Sequence, residues 1–449
     1  MHNASFPFHC FAAGGNHTAL ITQQSRRLFM TGSNKDAESL LAKPSQVFRS
    51  HELILGSGPP PQLAHNESPT RWRSVACGWA FTIAVTEPEP RARQRIYAWG
   101  SGAFGELGLG PGTTKSGPRA VPITGGVFDF EEGSDNSFEI VKVAAGLRHV
   151  LALVKERQPS TDKEPAARTF LVGWGSNRQG QLGQLVRNRV KGSTNDAELV
   201  PFTEKELRGK ITEPTQIQLF NEGATIVDMA CGQNHSLVLF SDGTVYSSGL
   251  DKYGQLGPST VDQEVSGSAS ERPRDFRLGF ERVVGLPYVN SISCGWNHNA
   301  AMDGRAETLA AQGGSIIYMW GRSNHGQLGN GVPYHVVNST TSSITSGIVC
   351  LRIFDSGEQE GTSGEAKQSA EIVSYSCGSE HTLATTSAGE CFAWGWNEHG
   401  NCGAGAEDHG HEKPKDVPEP RRVVFYSKDV DSPRPGWVQG GYGSSWVFT

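Results

Sequence analysis

Five histidines, His17, His149, His235, His298 and His381, occupy one recurring position along the 449 residues. Imidazole is the commonest general base, but a catalytic base is needed once, beside a nucleophile and an orienting group. Five copies at one repeat position instead predict a structural device. Each imidazole is expected to hydrogen-bond a backbone group and fasten one repeat to the next. His409, His411 and Glu412 could grip a divalent ion, but they lack a fixed fourth ligand and lie in an acidic stretch, 406–416, which reads as a solvated loop. The eight cysteines contain no Cys-x-x-Cys pair, so neither a zinc-knuckle spacing nor a dithiol redox motif is present. Four of them, Cys77, Cys231, Cys294 and Cys377, precede a Gly where Ala13 and Ala145 stand in sister copies, which predicts a small buried position. Gly100-Ser-Gly102-Ala-Phe-Gly105 satisfies G-x-G-x-x-G, but a dinucleotide site needs a helix to start there, and Glu-Leu-Gly-Leu-Gly-Pro follows. Arg91, Arg93 and Arg95 have no interleaved aromatics and read as charge at a hairpin tip rather than an RNA contact. The expectation is no catalytic residue, no cofactor, no metal and no enzymatic activity.

The elements that place these residues are repeats. A first string occurs seven times: Gly14-Gly-Asn-His17, Gly78-Trp-Ala-Phe81, Gly146-Leu-Arg-His149, Gly232-Gln-Asn-His235, Gly295-Trp-Asn-His298, Gly378-Ser-Glu-His381 and the worn Gly441-Tyr-Gly-Ser444. A second string alternates with it, as in Trp174-Gly-Ser-Asn-Arg-Gln-Gly-Gln-Leu-Gly183, and begins at Trp99, Trp174, Ser248, Trp320 and Trp394, with a degenerate copy at Met30–Asn34. Within one unit, Ile226–Ala230 alternates apolar and polar, Gly232–Asn234 turns the chain, and His235–Phe240 is a second apolar run. Asp242-Gly243 is then a two-residue hairpin signal before Val245–Ser248. Each unit is thus a meander of about four short antiparallel strands, which describes radial blades better than a solenoid. The 55 glycines, roughly 12% of the chain against a usual ~7%, argue for tight turns and little helix. One domain over 1–449 is expected, with polar insertions at 36–70, 185–220, 258–283, 354–370 and 404–433 read mostly as mobile surface loops.

The net charge of −6, without a block of like charge, disfavours non-specific nucleic-acid binding. No run approaches the ~20 apolar residues of a membrane span. The start, MHNASFPFHC, lacks signal-peptide regions, which points to cytoplasm and nucleus.

Strand parity places both strings on one face. At the position after the first-string Gly stand Gly15, Trp79, Leu147, Gln233, Trp296, Ser379 and Tyr442. A position that accepts Gly, Gln and Ser is not dictated by the fold, so Trp79, Trp296 and Tyr442 are candidates for partner contact. In the second string Trp396, with Glu398 and His399 beside it, stands where Ser101, Ser176, Leu250 and Arg322 stand. Trp99, Trp174, Trp320 and Trp394 hold the repeated position and are core. Optional aromatics gathered on one face have the composition of an interaction hot spot.

The strings W-G-S-N-x-x-G-Q-L-G and G-x-x-H-[ST] resemble the regulator of chromosome condensation repeat over essentially the whole chain. The resemblance implies an all-β, seven-bladed β-propeller, and seven first strings are counted here. On that reading each first string follows a Trp-Gly string, and none precedes Gly14. The first blade is then expected to borrow strands from the apolar run Trp446–Phe448 or to leave an open edge, unless a longer transcript encodes an upstream string. Cys77-Gly-Trp79, Trp394-Gly-Trp-x-Glu-His-Gly-Asn-Cys-Gly403 and Gly440-Gly441 with Ser445-Trp446-Val447 are similar to the fungal α-tubulin suppressor or killer-toxin-insensitivity group within that family. This implies a heterodimer with the small Cys-rich CSL zinc-finger protein of diphthamide synthesis. Through it come roles in diphthamide formation on elongation factor two and in Elongator-dependent modification of tRNA wobble uridines, with the metal chemistry left to the partner. The alternatives are guanine-nucleotide exchange on a small GTPase, for which the short, non-basic N-terminus is a poor match, and a generic scaffold. A plant ultraviolet-B receptor is disfavoured because neither Trp79 nor Trp296 is followed by Arg.

Overall fold

The computed structural model describes residues 8–41, 45–50, 70–88, 94–128, 138–156, 168–190, 197–219, 221–259, 275–305, 307–309, 314–331, 347–353, 370–403, 415–425 and 435–448. Each unit of sequence folds into one antiparallel meander. The first sheet is β1 (Phe8–Ala13), β2 (His17–Thr22), β3 (Leu28–Gly32) and β4 (Ser45–Ser50). The second is β5 (Trp72–Cys77), β6 (Phe81–Thr86), β7 (Ile96–Gly100) and β8 (Val121–Pro122). The third contains β9 (Phe138–Ala145), β10 (His149–Glu156), β11 (Thr169–Ser176), β12 (Leu185–Val190), β13 (Ala197–Pro201) and β14 (Lys210–Ile217). Its order, β13-β12-β14-β11-β10-β9, shows a hairpin added outside the fourth strand, followed by the single helical turn α1 (Glu204–Leu207). The fourth is β15 (Ile226–Cys231), β16 (His235–Phe240), β17 (Val245–Leu250) and β18 (Phe276–Arg282). The fifth is β19 (Ser291–Cys294), β20 (His298–Met302), β21 (Ile317–Gly321) and β22 (Val349–Leu351). The sixth is β23 (Ile372–Cys377), β24 (His381–Thr386), β25 (Cys391–Trp396) and β26 (Asp416–Arg422). Last come β27 (Trp437–Gly440) and β28 (Ser445–Phe448), which pair only with each other.

The architecture is all-β with six blades, which corrects the expected seven. In every sheet the first string is the turn between the first two strands, and the second string ends the third strand. The seventh first string, Gly441–Ser444, therefore joins only β27 and β28, and no Trp-Gly string follows it to supply a third and fourth strand. The same order removes the expected defect at the first blade. Met30–Asn34 ends β3 of a complete four-stranded sheet, and β1 pairs with β2 rather than with the run at Trp446.

The polar insertions are also more than loops. Their ends hold the outer strands β4, β12 to β14, β18 and β26. β18 and β26 are largely half-buried or exposed and carry no strong apolar pattern, as β26 shows with Asp416, Pro418, Glu419 and Arg421. The second strands behave oppositely. All six residues of β16 and β24 are buried, and β16 accordingly reads as an apolar run from Leu237 to Phe240.

Two compact units are formed: Met1–Ser236 with Ser248–Leu250 and Phe276–Phe280, and Leu237–Ser247 with Asp251–Asp275 and Glu281–Thr449. In the first, Ile21, Met30, Val75, Tyr97 and Trp99 belong to one buried cluster. In the second, Leu237, Val245, Tyr318 and Trp320 form another, and Met319, Leu383, Phe392 and Trp394 a third. All eight cysteines are free thiols. Cys77 and Cys377 are buried as expected, but Cys231 and Cys294 are only half-buried.

Candidate functional site

What the two strings do for the fold must be subtracted before a site can be seen. The first string makes a clasp. His17 Nε2 lies 2.8 Å from Thr82 Oγ1 of the next sheet, and Thr82 Oγ1 donates to Glu38 O at 2.9 Å. His149 Nε2 meets Ser236 Oγ at 3.0 Å, and that hydroxyl donates to Gln181 O at 2.7 Å. His298 with Thr382, and His381 with Ser445, repeat the arrangement at 3.0 Å. Trp99, Trp174 and Trp394, all fully buried, donate Nε1–H to Glu38 O at 3.0 Å, Glu106 O at 2.8 Å and Gln327 O at 2.9 Å, and the first and last of these carbonyls also accept the hydroxyls of Thr82 and Thr382. The single hydroxyl hydrogen is committed to the carbonyl, so the imidazole must donate from Nε2 and leave Nδ1 bare. The histidines are thus fasteners, but they hold a neighbouring side-chain hydroxyl instead of the expected backbone group. Where the second sheet has Phe81 in place of His, the third has Val150 in place of the hydroxyl, and both are buried.

Burial without a partner at Nδ1 lowers these imidazoles, His17 and His381 to about 4 and His149 to about 3. The Gly that opens the string is required by the same clasp. A Cβ on Gly146 would sit 2.2 Å from His149 Cε1 and 2.4 Å from Gly232 O. Gly146→Ala is therefore expected to cost about 1 to 3 kcal/mol in a urea titration, as overpacking does, and an unchanged midpoint would refute the clasp as a tight fit.

The second string closes on itself. Glu38, Glu106, Gln181, Gln255 and Gln327 are buried, and each accepts the amide two residues before it, Phe104 N to Glu106 at 2.6 Å and Tyr253 N to Gln255 at 2.8 Å among them. Asn177, Asp251 and Asn397 accept the amide five residues on, at 2.8 to 3.0 Å. The Gly after Trp is held by its backbone: Gly100 has φ 107°, and a Cβ there would lie 2.3 Å from Ala80 O.

The two loops share one end of each sheet, since His17 pairs with Gly32, Phe81 with Gly100 and His381 with Gly395. Neighbouring turns are tied by backbone bonds, Gly15 N to Gly78 O at 3.1 Å and Trp79 N to Leu147 O at 3.3 Å in the first unit. In the second, Trp296 N reaches Ser379 O and Ser379 N reaches Gly441 O, both at 3.0 Å.

Onto this frame the candidates fall in three places. Trp79 is 44% exposed in the first unit, with its indole against Gly15, where a Cβ would meet ring atoms at 3.0 Å. Trp296 and Tyr442 meet in the second unit, half-buried, with ring centroids 5.7 Å apart in an edge-to-face contact. Trp396 packs on His399 of its own loop at 5.0 Å, and Glu398 beside it is exposed. The sequence reading missed residues at the same variable positions. Arg148 and Arg178 both stack on Phe104, at 4.1 and 5.1 Å. Arg322 lies over Tyr253 at 4.8 Å and pairs with the buried Glu380 at 3.0 Å. Burial raises the Glu380 carboxyl, with Arg322 opposing. Their signal was the one that exposed Trp396, a residue unlike its counterparts in sister copies.

The match to the RCC1-like domain model runs over residues 2–443. The chain belongs to the RCC1-like domain family. It is 29% identical over 400 residues to the secretion-regulating guanine nucleotide exchange factor of Bos taurus, covering 88% of this chain and 68% of that protein. With an RCC1 repeat-containing protein of Schizosaccharomyces pombe it shares 24% over 441 residues, covering 97% and 88%. The solved structure of Prp20p from Saccharomyces cerevisiae superposes with a TM-score of 0.61 at 19% identity, covering 97% of this chain and 81% of that one, a likeness of fold.

Among the described residues of this RCC1-like chain, no group of three or more His, Cys, Asp or Glu could hold a metal ion. His409, His411, Glu412, Arg91 and Arg93 lie outside the described residues. Burial pushes the Cys77, Cys231, Cys377, Cys391 and Cys402 thiols up to about 12, away from the thiolate a nucleophile or metal ligand needs. Among the described residues no helix is long and apolar enough to cross a membrane.

Proposed function

We propose that this RCC1-like chain is a non-catalytic binding domain whose ligand is another protein, with candidate contacts on the turn of the first unit that carries Trp79 and on the turns of the second that carry Trp296, Trp396, Glu398, His399 and Tyr442. The observation that carries this reading is the accounting above. Clasp and loop closure use the repeated polar side chains, and what remains on that end of the sheets is variable, aromatic and charged. The partner we propose is the small Cys-rich CSL zinc-finger protein of diphthamide synthesis, with Elongator-dependent tRNA modification reached through it. The strings around Trp79, Trp396 and Trp446 support it. A second reading, exchange of guanine nucleotide on a small GTPase, is favoured by the 29% identity to a protein of that name.

The test is titration of the purified chain with the purified zinc protein, beside an exchange assay on small GTPases. Micromolar or tighter binding of the zinc protein with no exchange supports the first reading, and exchange without such binding replaces it with the second. Trp79→Ala is expected to leave the melting temperature within a degree while weakening partner binding about 30-fold or more. Trp296→Ala should do both, because its edge-to-face contact with Tyr442 also supports the fold. If Trp79→Ala and Trp396→Ala both bind normally, this surface is not the site.

A further inference from the structure

In the first unit five basic side chains are answered by acids. Arg26 meets Glu87 at 3.3 Å, Arg73 meets Glu139 at 2.9 Å, Lys115 meets Asp36 at 3.5 Å and Arg187 meets Glu206 at 2.7 Å, while Lys142 pairs with Asp228. Arg148 and Arg178 differ. Both are exposed, neither forms an ion pair among the described residues, and both guanidinium groups lie against one ring, Phe104. The arrangement joins two sheets: Phe104 comes from the second string of one, Arg148 and Arg178 from the two strings of the next. The carboxylate below, Glu106, is buried, with burial raising its pKa, and it accepts the Phe104 amide, so it positions the ring. Leu147, whose carbonyl takes the Trp79 amide, precedes Arg148, so the turn that carries Trp79 is tied by its backbone to the turn that carries Arg148.

We propose that Trp79, Phe104, Arg148 and Arg178 form a receptor for an acidic segment of the partner protein, with its carboxylates on the two guanidinium groups and an apolar side chain against Trp79. The proposal rests on the reading that the partner docks on this face, and it adds the chemistry of what docks. Two stacked guanidinium groups are held in orientation before binding and present flat forks that suit carboxylates, and the acid felt by Arg148, Glu106, is buried and makes no ion pair with it. Charge complementarity favours this occupant. In a chain of net charge −6 they are a local positive site that selects a short acidic stretch. The net charge of −6 disfavours a nucleic acid, whose phosphates would extend past the two guanidinium groups.

The test uses the full chain and a fluorescein-labelled dodecapeptide of Asp and Glu with two central leucines, read by anisotropy. Its Asn and Gln counterpart and an oligouridine of similar length serve as the other arms. The acidic peptide is expected to bind, and Arg148→Gln with Arg178→Gln together should weaken it about tenfold. Arg178→Lys should fall between, because the charge stays and the fork is lost. The melting temperature of the double variant checks that the fold persists. Equal binding of the neutral peptide, no effect of the double variant, or tighter binding of oligouridine would overturn the proposal. The same double variant titrated with the zinc protein separates the two readings. Wild-type binding that the double variant retains removes the acidic-segment receptor and leaves the docking surface. Acidic-peptide binding without zinc-protein binding removes the named partner and leaves the receptor.

Discussion

Acidification from pH 7 to pH 4 is expected to unfold this chain. The cause is the clasp. His17 and His381 are held at about 4, and His149 at about 3, against 6.5 for a free imidazole, because protonating Nδ1 would create a buried cation with no acceptor. A folded-state pKa below the unfolded value means that the unfolded chain takes up protons first. The stabilisation is therefore complete above about pH 6.5 and is lost progressively as pH falls toward 4. At 1.36 kcal/mol per pKa unit, each of these imidazoles removes roughly 3 kcal/mol by pH 4. Three such losses are comparable with the whole net stability of a typical domain, about 5 to 15 kcal/mol. Glu106 and Glu380, whose carboxyls burial raises, act in the opposite sense, since the folded chain binds their protons more readily, but they are two against the set of clasps. Melting temperature followed by calorimetry from pH 7.5 to 4 should fall steeply below 6.5. His381→Gln keeps a donor for Ser445 without a titrating group and should flatten part of that fall. A melting temperature constant down to pH 4.5 would show that the imidazoles titrate freely.

Trp394→Ala is the largest single-residue effect expected, a loss of about 3 to 5 kcal/mol from the emptied volume, with the lost hydrogen bond added. The indole is completely buried in the cluster with Met319, Leu383 and Phe392, and its Nε1–H donates to Gln327 O at 2.9 Å. Gly329 is packed so closely that a Cβ there would be 2.9 Å from the same nitrogen, so the neighbouring loop cannot collapse into the space without losing its turn. Urea titration measures the loss, and a change below about 1 kcal/mol would place the Trp outside the core. Trp394→Phe should recover most of the volume term and none of the hydrogen bond. The fourth sheet manages with Ser248 at this position, fully buried and donating to Gly180 O at 2.7 Å, one residue before the Gln181 carbonyl that corresponds to Gln327 O and that Ser236 satisfies.

The order in which strings follow one another determined the meander, the shared end of the two loops and the structural role of the histidines. The first two depend on contacts a few residues apart, which local periodicity encodes directly, and recurrence at one repeat position marked the histidines as structural. The candidates Trp79, Trp296, Trp396 and Tyr442 were legible for a related reason. A repeat supplies its own comparison, so a residue unlike its counterparts stands out. What lay beyond the sequence was pairing across units. The hydroxyl that holds each imidazole is 64 to 87 residues away, and only folding shows that Thr82, Ser236, Thr382 and Ser445 receive it. The outer strands were hidden because a half-exposed edge strand needs little apolar patterning, and its hydrogen bonds come from a neighbour already in place. The count of blades likewise turned on which strand of a unit each string terminates, so a seventh string yielded two strands instead of four. Phe104, Arg148 and Arg178 are 30 to 74 positions apart in sequence and belong to different strings. Their meeting on one ring is a property of two sheets side by side, set by packing that no single repeat contains.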